Sequence, residues 1–170
     1  MSDWEKQWRR VHRWYDRFRV IEAGFEQTKA ADFYEDEVWS FFQNCYHLKD
    51  WLKNDPASGI STNEVEGYVE QSENLKLCGD LANGSKHLTI THPRFDANTK
   101  VSKRITTFAP TVIVGPPEHV AASVEPAAPV IAMIYGIEAN GGTRDAFALA
   151  TACVKEWETF LSSKGLSTTV

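Results

Sequence analysis

The chain has 170 residues, 42% of them hydrophobic and 24% charged, with a net charge of −5. That composition fits one domain, 1–170, with a real core, and it excludes a generally basic nucleic-acid binder. The longest apolar run, Val130–Tyr135, is far too short to span a bilayer, so no membrane partner is expected.

Ser2 followed by Glu5 is a capping-box pattern, and Asp3 adds negative charge at the positive end of a helix. Trp4, Trp8, Val11, Tyr15 and Phe18 then recur in steps of four and three, which predicts an amphipathic helix over about 3–24. Its other face is basic, with Lys6, Arg10, Arg13 and Arg17 beside Arg9 and Arg19. Arg10, Arg13 and Arg17 are candidate phosphate contacts. The plainer reading, which we favour, is a solvated face paired with the acidic residues between Glu22 and Glu37.

A second helix is expected over about 32–53, where Tyr34, Val38, Phe41, Cys45, Leu48 and Leu52 repeat the same spacing. Gln43, His47, Asp50 and Asn54 form a polar stripe along it, and His47 and Asp50 are close enough in register to touch. Ser61 and Glu64 make another capping box, starting a short helix over about 62–71.

The stretch LKLCGDLANGSKHL, Leu75–Leu88, falls in a fourth helix, expected over about 73–87 with Ser72 as its cap. Lys76, Asp80, Asn83 and His87 lie along one face of it. Cys78, Gly79, Ala82, Gly84 and Ser85 are small and permit close helix approach. From Leu88 the period changes to β-like alternation, at Leu88–Thr91, Val101–Phe108, Thr111–Val114, His119–Val124 and Val130–Ile137. The turn Asn140-Gly141-Gly142 leads to a last helix over about 143–163, with Thr143 as cap and Asp145 in its first turn. The expected fold is therefore mainly α: an antiparallel helical bundle with a small antiparallel β insertion, about 88–137, before the last helix.

The three cysteines, Cys45, Cys78 and Cys153, show no CxxC spacing and occupy apolar helical positions. Reduced thiols packed in the core of a cytoplasmic protein are expected, with no metal and no cofactor. The opening stretch MSDWEKQWRR carries no apolar signal segment, in keeping with that compartment.

The paired helices, the polar motif ending in a His and the closing helix resemble the HEPN superfamily of helical nucleotide-binding domains. The segment Asp80-Leu-Ala-Asn83-Gly-Ser-Lys86-His87 carries the likeness. The resemblance implies a helical domain of bacterial defence or toxin–antitoxin systems, many of whose members are metal-independent ribonucleases. The nuclease members carry an Arg, four to six residues and then a His, and no Arg stands at that distance before any of the five histidines here.

Two functional readings follow. In the first, the chain is an interaction module, binding its own copy or a partner protein, with six Trp, five Tyr and nine Phe to supply surface as well as core. In the second, it is a dimeric ribonuclease acting on RNA. His87 would be the acid or base, Lys86 the phosphate contact, and Asp80 with Asn83 the orienting pair. Lys76, Arg10, Arg13 and Arg17 would add phosphate contacts, with His47 and Asp50 as a second polar stripe.

Overall fold

The computed structural model describes residues 1–26, 29–85, 92–96, 98–108 and 130–169, with backbone alone at 26, 103–108 and 130. Among them the helices are α1 (Asp3–Ala23), α2 (Ala31–Asn54), α3 (Thr62–Gln71), α4 (Glu73–Gly84) and α5 (Ala146–Ser163). The strands are β1 (Phe25–Glu26), β2 (Lys100–Phe108), β3 (Val130–Ala139) and β4 (Gly142–Asp145). The mainly helical fold with a small antiparallel sheet ahead of the last helix agrees with the sequence pattern.

The helix starts follow the capping residues. The Glu5 carboxylate accepts the Ser2 N–H at 2.6 Å, and that of Glu64 accepts the Ser61 N–H at 3.0 Å. Ser72 Oγ accepts the Leu75 N–H at 2.9 Å, which opens α4. Asp55 stops α2 and ties back to α1, accepting the Trp4 N–H at 2.9 Å.

The apolar stripes meet in one core. Trp4, Trp8, Val11 and Phe18 of α1 pack with Val38, Phe41, Leu48 and Leu52 of α2 and with Trp157 and Leu161 of α5. Helix α2 lies between α1 and α4. Burying side chains of this size contributes about 1.5–3 kcal/mol each. On α4, Leu75, Leu77, Cys78, Leu81 and Ala82 all face inward. Its small residues therefore serve packing within one chain: a Cβ at Gly79 would stand 2.6 Å from Cε2 of Tyr46 on α2.

The sheet leans on one side of this bundle. Strand β3 is central, paired antiparallel with β2 from Lys100↔Glu138 to Phe108↔Val130. Its other edge carries β1 at Phe25↔Ile131 and β4 at Glu138↔Thr143. Met133, Tyr135 and Ile137 alternate inward from β3, and Tyr135 meets Phe18 edge-on at a centroid distance of 6.4 Å.

The last helix begins later than its sequence suggested. Thr143 does not cap it, because Gly142–Asp145 continues the hairpin as β4. Asn140 (φ 49°) and Gly141 (φ 73°) supply the left-handed pair of the two-residue turn. Asp145 is the cap, accepting the Ala148 N–H at 2.6 Å. Helix α4 is described only to Gly84, with Ser85 in a turn, short of the expected end at 87. The expected strands at 88–91, 111–114 and 119–124 lie outside the described residues.

Candidate functional site

The predicted site centres on α4, and the described residues place Lys76, Asp80 and Asn83 of it. Asp80 is fully buried. Its carboxylate accepts three backbone N–H groups, from Arg94 at 2.7 Å, Phe95 at 2.6 Å and Asp96 at 2.8 Å. It therefore holds the segment 92–96 against the bundle, replacing the water those amides would otherwise bind. Asp96 continues the chain of contacts, accepting the Asn140 N–H at the β3–β4 turn at 2.7 Å. Burial and three charge-assisted hydrogen bonds make Asp80 an anchor of loop to helix. Lys76 and Asn83 are half-buried on the same helix, and Lys86 and His87 lie outside the described residues.

A relay of ion pairs, with the Arg94 backbone at one end, links Asp80 to Asp50. Arg94, whose N–H bonds Asp80, reaches with its guanidinium to Glu70 and to Glu66, the latter at 3.3 Å. Glu66 accepts from Lys49 at 3.0 Å and also pairs with Lys53. Lys53 reaches Asp50 at 2.9 Å. The buried Tyr46 ring sits below two of these cations, Lys49 Nζ at 4.9 Å and the Arg94 guanidinium at 5.7 Å from its centroid. His47 lies on α2 beside this relay, half-buried. Arg94 and Glu66 carry no periodic signal, because their partners are distant in the chain.

Partial burial pushes the Glu66 carboxyl up, but Lys53 and Lys49 outweigh it and hold the group down at about 2. A lowered folded value means stability present above the ordinary carboxylate range near 4.5 and lost as pH falls toward 2. Glu66→Gln is therefore expected to cost about 2 kcal/mol at neutral pH, after discounting for solvent screening. Urea midpoints for wild type and variant should converge between about pH 5 and pH 2. Parallel curves over that range would remove the Glu66 pairs from the stability account.

The basic face of α1 is partly engaged. Arg17 pairs with Glu37 of α2 at 3.3 Å and stacks on Trp14 at 4.5 Å. Arg10 bonds Gln7 and lies over Trp51 at 5.6 Å. Arg13 is exposed. The pairing of this face with the acidic stretch is seen in Arg17–Glu37.

Where α1 ends and α2 begins, a groove of about 400 Å³ is lined by Val20, Ile21, Phe25, Phe33 and Tyr34, with Arg17, Lys29 and Glu37 adding polar groups. Val20 is 53% exposed and Phe33 46%, large apolar side chains turned to solvent. The exposed charges nearby have two signs: Arg13 and Arg17 on α1, Asp32 and Asp36 on α2.

A third cluster escaped the sequence reading. Cys45 of α2, Cys78 of α4 and Cys153 of α5 are all fully buried, and their Sγ atoms lie within 4.8 Å of one another. Each cysteine sits at an ordinary apolar position of its own helix, so only the tertiary packing brings them together. Burial pushes the Cys78 and Cys153 thiols well up. Comparison of the chain with protein-family models, with curated proteins and with solved structures finds no match to any of them.

Proposed function

We propose that the chain is a HEPN-like helical interaction module that pairs with a second copy of itself through the corner between α1 and α2. The observation that carries this reading is the exposed apolar pair Val20 and Phe33 at the mouth of the groove, set between exposed charges of opposite sign. A two-fold interface is self-complementary, so a patch with a basic side and an acidic side can bind its own copy. The basic face of one α1 then meets the acidic start of the partner's α2, with the apolar pair between them. Commitment of the Asp80 carboxylate to three backbone amides supports an anchoring role for it over the orienting role a nuclease would need. Bacterial defence or a toxin–antitoxin pair is the setting this module would serve.

Light scattering on the eluting protein tests the reading. Wild type is expected to elute as a dimer. Phe33→Asp, which would place a charge in the contact, is expected to weaken pairing by about a hundredfold or more, roughly 3 kcal/mol. Total RNA incubated with wild type in EDTA is expected to stay intact. Cleavage by wild type that is lost in His87→Ala would replace the interaction reading with the ribonuclease.

A further inference from the structure

We infer that the junction of α2, α4 and α5 is a binding site for a trivalent thiophilic metalloid of the arsenite class, held by the Sγ atoms of Cys45, Cys78 and Cys153. Three helices contribute one sulfur each, and the three sulfurs lie within 4.8 Å of one another. Bonds of about 2.3 Å to a pyramidal central atom place the three sulfurs about 3.5 Å apart. Closure by at most about 1.3 Å therefore completes the site.

Charge selects the occupant. Every cysteine here is fully buried, and among the described residues the charged group that bears on Cys45 and Cys153 is the carboxylate of Glu156. A net negative complex in such a place is costly. Three thiolates leave copper(I) or zinc(II) anionic, whereas a trivalent centre is neutral. Among the described residues no carboxylate or imidazole joins the three sulfurs as a fourth donor, so zinc would have to take a water into this buried place to complete its tetrahedron. A trivalent metalloid needs none, because its lone pair takes the fourth direction. The indole Nε1 of Trp157, on α5 with Cys153, is buried without a hydrogen-bond partner.

The chemistry balances without a co-reactant. Arsenous acid, As(OH)₃, is neutral and enters an apolar interior without shedding a charge. Each thiol proton leaves with one hydroxyl as water. Three S–H and three As–O bonds break, three As–S and three O–H bonds form, and no electron changes hands. The sealed position makes uptake follow local opening of the helix junction.

Native mass spectrometry of the reduced full chain with sodium arsenite tests the site. The expected adduct is one arsenic per chain with no hydroxyl retained, the signature of three sulfur bonds, accompanied by a rise in the wild-type melting temperature. Cys78→Ala and Cys153→Ala should each lose the adduct or keep a hydroxyl on it. The wild-type melting shift stands even where a variant fails to fold. No adduct, a wild-type adduct that retains a hydroxyl, a fall in melting temperature, or zinc(II) bound in preference to arsenite would each overturn the assignment.

Discussion

Replacing Asp80 by Ala is expected to destabilise the protein by about 3–5 kcal/mol, among the largest losses from any single polar side chain in it. The carboxylate is fully buried and is the acceptor for the amides of Arg94, Phe95 and Asp96. Removing it strands those donors where water replaces it poorly, and it frees the segment that carries Arg94 into the Glu66 and Glu70 pairs. Asp80→Asn should fall between, since one oxygen remains and the new amide opposes an N–H donor. Urea unfolding measures the loss. Hydrogen exchange at 94–96 should accelerate in both variants and should exceed that of the α1 and α2 amides. A loss under about 1 kcal/mol for the Ala variant would mean that the segment is held by something else.

Gly79→Ala is expected to destabilise by about 1–3 kcal/mol, although Ala is the better helix former by about 1 kcal/mol. The new Cβ would stand 2.6 Å from Cε2 and 2.9 Å from Cζ of Tyr46. The ring cannot simply swing aside, because Lys49 and Arg94 lie over it and both are tied to Glu66. Combining the change with Tyr46→Leu should recover most of the loss, giving a coupling energy of about 1 kcal/mol or more by thermal or urea unfolding. Additive losses would place the clash elsewhere.

How much of this was legible in the chain depends on the range of the interactions. The stripes Tyr34–Val38–Phe41–Cys45 and Val65–Val69, the boxes at Ser2 and Ser61, and the cap at Ser72 are local, and each is found where its spacing placed it. Strand β1 is too short to show a period, and it exists because β3 offers it an edge. Thr143 looked like a cap, yet Asp145 two residues on does the capping while Thr143 pairs across the hairpin. The Asp80 anchor, the Glu66 relay and the cysteine junction join residues far apart in sequence. No periodicity reports such contacts, so a polar residue on α4 looked like chemistry when its partners were backbone amides.

Pairing of two copies through a corner with one basic and one acidic side is open to direct test by exchanging the charges. Arg13 is exposed on α1, about one turn before the groove residue Arg17, and Asp36 is exposed on α2 next to the groove residue Glu37. Arg13→Glu sets acid against acid across the two-fold axis, and Asp36→Arg sets base against base, so each variant alone is expected to run as a monomer by sedimentation velocity. An equimolar mixture of the two should sediment as a dimer, because each then offers the sign its partner lacks. A wild type that stays monomeric at all concentrations, or a mixture no more associated than either variant alone, would contradict the claim.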